Sequence, residues 1–148
     1  MTEDDRVFAC SVYAISDCCG HMKIGIAKDV NARMKELQVG NACPLCLMFE
    51  IVCESPYCKN DYTAPREAAF FIESTLHRWL KEENRQLMGE WFNICYHHTY
   101  DAMLQTVSVD YGRLEYMRTR RSVEIIGPIE QGEEEMHHQF RLRLAAHV

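Results

Sequence analysis

The sequence predicts an α+β domain in which a three-stranded antiparallel sheet is flanked by helices, in the order β-β-α-β-α, with a C-terminal strand and helix appended. Three observations carry that expectation. Two runs rich in β-branched and aromatic residues flank a short polar stretch containing glycine. Two later segments repeat apolar residues at helical spacing, and a third β-rich run lies between them. A sheet covered by helices is the simplest way to bury all of these faces.

Val7 to Ile15 (VFACSVYAI) reads as the first strand, and Asp17-Cys18-Cys19-Gly20-His21 as a hairpin turn. Met22 to Ala27 (MKIGIA) is the return strand. Its internal Gly25 marks a place where backbone or ligand approaches closely. Asp29 suits the N-cap of a helix that carries Val30, Met34 and Leu37 on one face and stops at Gly40. Leu45 to Cys53 is the third strand, and Glu54 to Thr63 a polar loop. A second helix follows from about Pro65 to Glu83, with Ala69, Ile72, Leu76 and Leu80 as its apolar face. Glu90 to Ile94 is short, aromatic and extended. Beyond it the pattern suggests a helix at Tyr100 to Val109, a strand at Ser122 to Ile126 and an amphipathic helix at Glu133 to His147. The expected division is a domain over residues 1–98 and an appendage over 99–148, a length of 148 residues suiting such an arrangement.

Composition narrows the function classes. Nearly half the residues are apolar, yet no uninterrupted apolar run approaches the roughly 18 residues of a membrane span. The acidic start, Met1-Thr2-Glu3-Asp4-Asp5-Arg6, is unlike a targeting segment, so a cytoplasmic protein without membrane contact is expected. The net charge is −6, so any nucleic-acid footprint must be local.

Packing does not require several of the polar residues. Tyr13 lies in the first strand, Lys23 in the second and Arg33 on the first helix. Glu73 and His77 are one turn apart on the second helix and share a face. Asn93 sits in the last extended segment.

These residues fall into a known order. Val12-Tyr13-Ala14-Ile15, Lys23-Ile24-Gly25, Arg33 ten residues after Lys23, Glu73-Ser74-Thr75-Leu76-His77 and Gly89-Glu90-Trp91-Phe92 together resemble the GIY-YIG nuclease superfamily. The likeness is strongest to its small phage- and bacteria-associated branch with Lys-Ile-Gly as second motif, and it runs from about residue 11 to 94. The lysine at position 23 departs from the superfamily's name motif, which has tyrosine there.

The resemblance implies a metal-dependent endonuclease that hydrolyses phosphodiester bonds of DNA, or of RNA. In it Glu73 would hold one magnesium or manganese ion, and one carboxylate suffices for an ion that keeps most of its waters. Arg33 would bind the non-bridging phosphate oxygens with its planar fork. Tyr13 would orient or deprotonate the attacking water. A free tyrosine has a pKa of about 10, so a cation beside it would help, and Lys23 on the adjacent strand is expected to be that cation. His77 is a candidate proton shuttle or phosphate contact, and Asn93 a supporting hydrogen-bond partner. Lys28, Arg33 and Lys35 are the expected nucleic-acid contacts. The rival expectation is a GIY-YIG-like module that binds nucleic acid or a partner protein without cutting. A domain this small is also expected to rely on a partner or on self-association to choose its target.

Eight cysteines occur, at 10, 18, 19, 43, 46, 53, 58 and 95, and reduced thiols are the default. Cys43-Pro44-Leu45-Cys46 has zinc-ligand spacing that Cys53 and Cys58 would complete. The competing reading puts Cys46 and Cys53 in the third strand as small buried hydrophobes, with Cys18 and Cys19 exposed in the turn. In the tail, Arg113 to Met117, Ser122 to Gly127 and Glu133 to Phe140 echo the first helix, third strand and second helix, which suggests a degenerate half-module. The run Arg118-Thr119-Arg120-Arg121 is the densest positive stretch.

Overall fold

The hairpin forms where the turn chemistry places it. In the computed structural model, which describes residues 7–56, 64–117, 123–126 and 138–144, strand β1 (Val7–Ser16) pairs antiparallel with β2 (Met22–Ala27), Tyr13 standing opposite Gly25 and Ile15 opposite Lys23. Asp17 organises the turn: its Oδ1 accepts the N–H groups of Cys19 at 2.8 Å and His21 at 3.1 Å.

Helix α1 (Val30–Val39) starts at Asp29, whose Oδ1 accepts the N–H of Ala32 at 3.0 Å. Asp29→Ala should therefore cost about 1 kcal/mol, read as a lowered urea midpoint with an unchanged slope. Strand β3 (Cys46–Pro56) pairs antiparallel with β1 on its other side. Helix α2 (Ala64–Glu82) ends at Asn84, which adopts a left-handed φ of 59°. The N–H of Arg85 returns to Leu80 O and that of Asn84 to Lys81 O. This double closure reverses the chain. The chain then enters a small hairpin, β4 (Gln86–Met88) and β5 (Trp91–Phe92), whose second strand pairs with β2 at Met22 and Lys23.

Period-two alternation sorts the sheet's two faces. One carries Val12, Ala14, Ile24, Phe49, Ile51 and Cys53, covered by Ala69, Ile72, Leu76 and Leu80 of α2 and by Met103 of α3 (Tyr96–Met117). All four expected apolar positions of α2 are fully buried. The other face carries Tyr13 and Ile15, which pack with Val30, Leu45 and the half-buried Met34, Leu37 and Trp91. The helices thus lie on opposite sides, and the middle of β2 is the strand they share.

The structure is α+β, but the sheet is larger than three strands. Among the described residues it has seven, in the order β4-β5-β2-β1-β3-β7-β6, with β3 and β7 parallel. The β4–β5 hairpin lengthens one edge, where a single extended segment was expected. Strands β6 (Val123–Ile126) and β7 (His138–Leu144) lengthen the other. Here the expected amphipathic helix at Glu133 to His147 gives way to β7. The reason is legible in the residues: Phe140, Leu142 and Leu144 alternate with Gln139, Arg141 and Arg143, a period of two that suits a strand. The segment that would have echoed α2 is therefore no helix over 138–144, and Glu133 to His137 lie outside the described residues. Helix α3 is longer than expected, running through Arg113 to Met117. The basic run 118–121 and Cys58 also lie outside the described residues.

Of the cysteines expected in the strand, Cys53 is buried but Cys46, at the strand's first position, is exposed. Cys18 and Cys19 are exposed in the turn, as expected. Among the described residues no helix is long and apolar enough to cross a membrane.

Candidate active site around Gly25

β2 is paired on both sides only as far as Lys23. The next contacts on its outer side are with loop and helix: Ile24 donates its N–H to Glu90 O at 3.0 Å, and Ile24 O accepts from His77 Nε2 at 2.8 Å. Beyond that point the polar side chains gather about Gly25. A Cβ placed on Gly25 would stand 2.5 Å from the Tyr13 phenolic oxygen, 2.8 Å from its Cζ and 2.9 Å from Glu90 Oε2. Only glycine leaves room for the phenol and the carboxylate to meet over the strand, which is the close approach its position suggested. Gly25→Ala should displace both groups at a cost of roughly 1–3 kcal/mol. A thermal melt would register that cost, and any activity of the site should fall further than the loss of folded protein explains.

Tyr13 is 1% exposed. Arg33 reaches it from α1, donating to the phenolic oxygen while its Nη1 holds Glu36 Oε2 at 3.0 Å. Burial pushes the phenol above its usual range; the Arg33 hydrogen bond and charge oppose this, while the carboxylates of Glu90 and Glu73 add to it. The cation on the phenol is therefore Arg33, not Lys23. Lys23 instead pairs with Glu90 Oε2 at 3.1 Å and lies over the Trp91 ring, 5.8 Å from its centroid. Strand register accounts for the exchange: Lys23 stands opposite Ile15, two pairs along from Gly25 and Tyr13, and its ammonium meets the carboxylate that arrives on the β4–β5 hairpin.

Glu73 enters from α2, its side chain 14% exposed. Burial raises its carboxyl above the usual value; His77 and Lys23 oppose that shift, and Glu90 reinforces it. His77 is the nearer partner in sequence, yet its Nε2 is 3.8 Å from Glu73 Oε1 and only 2.8 Å from Ile24 O. The Nε2 proton therefore goes to the carbonyl. In the neutral ring this leaves Nδ1 as the acceptor. His77 also packs on Phe92, ring centroids 5.0 Å apart.

Tyr13, Lys23, Arg33, Glu73 and His77 are thus brought together from two strands and two helices. Asn93 is exposed just beyond β5, and its main-chain N–H donates to Arg85 O at 2.7 Å. Lys28 and Lys35 are exposed, Lys28 just beyond β2 and Lys35 on α1.

Two contributions escape the sequence pattern. Glu90 enters that pattern only as part of a motif, although it is the acidic partner of Lys23. A groove of about 510 Å³ runs past Glu73 and His77, lined also by Phe70, Ser74, Arg78, Lys81 and Glu82. Phe70 and Lys81 continue the spacing of Glu73 and His77 by one turn, and Ser74 and Arg78 form the adjoining row, so helical periodicity would have found the two cations.

Among the described residues no three His, Cys, Asp or Glu side chains are already arranged as a metal cage. A zinc-type shell does not suit Glu73. A half-buried carboxylate whose charge is disfavoured by burial and by a second carboxylate does suit a hydrated magnesium or manganese ion, which needs one or two protein oxygens.

No curated protein and no solved structure matches the chain. The T5orf172 domain family matches residues 10–108, two thirds of the chain, taking in every residue gathered at Gly25. The chain belongs to the T5orf172 domain family, a phage-associated domain of the GIY-YIG/homing-endonuclease-like type.

Proposed function

We propose that this chain is a metal-dependent endonuclease of the GIY-YIG type that hydrolyses phosphodiester bonds of DNA. The observation that carries the reading is that a phenol from β1 and the Glu90 carboxylate meet over Gly25, a guanidinium from α1 bonds that phenol, and the Glu73 carboxylate of α2 lies within electrostatic reach of both the phenol and Lys23. The order of the motifs along the chain and the family membership support it.

Each group has a role that its surroundings favour. Arg33 lends its planar fork to the non-bridging phosphate oxygens, and its charge remains at every working pH. Tyr13, kept protonated by burial, orients the attacking water through its oxygen and gives up its proton only as far as Arg33 offsets that burial. Lys23 holds Glu90 beside the phenol. His77, its Nε2 proton fixed on Ile24 O, is left with Nδ1 to take or return a proton. Glu73 would hold the magnesium or manganese ion, which supplies charge stabilisation at the phosphate and the leaving oxygen. Arg78 and Lys81 along the groove, with Lys28 and Lys35, offer local positive charge to a nucleic-acid backbone despite the acidic whole.

A second reading keeps the groove and removes the chemistry: a module that binds nucleic acid or a partner protein. The near-complete burial of Tyr13 favours it. The two separate in one experiment. Purified chain is incubated with plasmid, linear and single-stranded DNA plus magnesium or manganese, beside Glu73→Ala. Cleavage by the unaltered chain alone supports the nuclease; binding of DNA without cleavage under every condition supports the module.

A further inference from the structure

Cysteine is among the most buried of residues, and Cys10 and Cys53 follow that rule. Four others do not. Cys18 and Cys19 occupy the β1–β2 turn, and Cys43 and Cys46 lie on the connection from α1 into β3; Cys18, Cys19 and Cys46 are exposed and Cys43 is half-buried. Their sulfurs face one another across the gap. Cys18 Sγ is 3.7 Å from Cys46 Sγ, and Cys19 Sγ is 3.7 Å from Cys43 Sγ. The two contacts are neighbours, since Cys18 also lies within electrostatic reach of Cys43 and Cys19.

A disulfide would bring two sulfurs to about 2.05 Å. A tetrahedral zinc ion with bonds of about 2.3 Å sets its sulfur ligands about 3.8 Å apart, close to what both pairs show. Cys43-Pro44-Leu45-Cys46 has the two-residue spacing of a zinc knuckle. Both loops are ordered before any ion arrives. Ser16 Oγ accepts the N–H of Cys18, Asp17 Oδ1 that of Cys19, and Asn41 Oδ1 that of Cys43. Gln38 of α1 donates to Cys43 O and accepts the N–H of Leu45.

We propose that Cys18, Cys19, Cys43 and Cys46 form a structural zinc site that clamps the β1–β2 turn to the α1–β3 connection. The four side chains stand as two touching pairs rather than a closed cage, so binding requires side-chain rotations that draw the pairs onto one ion. Each thiol releases its proton to solvent as its thiolate takes the metal. The partners differ from those that spacing suggested: Cys53 is buried within β3, and its place is taken by the vicinal pair of the turn. The clamp has a structural use. Val30 is the one fully buried residue of α1, which nevertheless must hold Arg33 against Tyr13. Through Gln38 the ion would tie α1 to the hairpin that carries the phenol. The inference stands independently of the nuclease reading.

The test is elemental analysis of the full chain purified under reducing conditions, followed by titration of the reduced, metal-free chain with cobalt(II). The expected result is one zinc per chain and, with cobalt, thiolate charge-transfer and tetrahedral ligand-field bands that an equivalent of zinc bleaches. Cys43→Ser combined with Cys46→Ser should lose the zinc and the bands, whereas Cys95→Ser should keep both. A chelator should lower the thermal midpoint of the unaltered chain. A zinc-free chain whose reduced form gives no cobalt–thiolate band overturns the proposal. So does a chain lighter by the hydrogens of two disulfides that takes up no metal once reduced. Both readouts use the unaltered chain, so misfolding of the double variant would not obscure the outcome.

Discussion

Glu73→Gln should reduce metal-dependent DNA cleavage by at least roughly 10²–10³-fold, the scale for losing one preorganised charge at a phosphoryl centre, while leaving the fold intact or firmer. The carboxylate is the group proposed to hold the ion, and its surroundings disfavour its charge. Burial is the chief cause, with Glu90 adding and His77 and Lys23 opposing. The sign follows from that direction. Because the folded carboxyl binds its proton more tightly than the unfolded one, its contribution to stability is present below the unfolded value of about 4.3 and is lost as pH rises through the raised folded value. Glutamine cannot ionise, so this loss should disappear. At neutral pH the variant should therefore be the more stable of the two, read as a raised thermal midpoint. Urea melts across the mildly acidic range, set beside plasmid-cleavage rates, test both halves. Cleavage at the unaltered rate would remove Glu73 from the metal site, and an unchanged pH slope would mean that its carboxylate is better solvated than its burial implies.

Arg33→Lys is the second large effect. Charge is kept, but the fork that serves both the Tyr13 oxygen and Glu36 is lost. A fall in cleavage of roughly 10²-fold is expected, since one ammonium cannot match the paired oxygens of a phosphate. The pH profile should change as well. With the guanidinium hydrogen bond gone, less opposes the burial of the phenol, so any activity limb due to Tyr13 should move to higher pH. Activity retained with lysine would reduce Arg33 to a generic charge. A profile that shifts neither way would take the phenol out of the reaction.

The residues announced much of this. The β-rich composition of Val7 to Ile15 announced a strand, and the spacing of Ala69, Ile72, Leu76 and Leu80 named the inner face of α2 correctly, because burial of one face is a local property of a helix. Gly25 was legible for a similar reason: a glycine inside a strand is costly unless something needs the space. The errors arose where a choice depended on distant chain. Lys23 was expected beside Tyr13 because they share a hairpin, yet the β4–β5 hairpin delivers Glu90 to the ammonium and α1 delivers Arg33 to the phenol. The tail's echo of the second helix suggested an amphipathic helix, although the alternation in Phe140, Leu142 and Leu144 was there to be weighed.

The sequence by itself determined which face of each of the first two helices turns inward and where the turn and the α1 cap fall, since periodicity and capping are written into neighbouring residues. Only the tertiary structure decided which side chains touch: Arg33 on Tyr13, Lys23 on Glu90, and the turn cysteines against Cys43 and Cys46. A one-dimensional pattern specifies the face of an element, whereas the neighbour across the gap is chosen by how strands pair and helices pack over tens of residues.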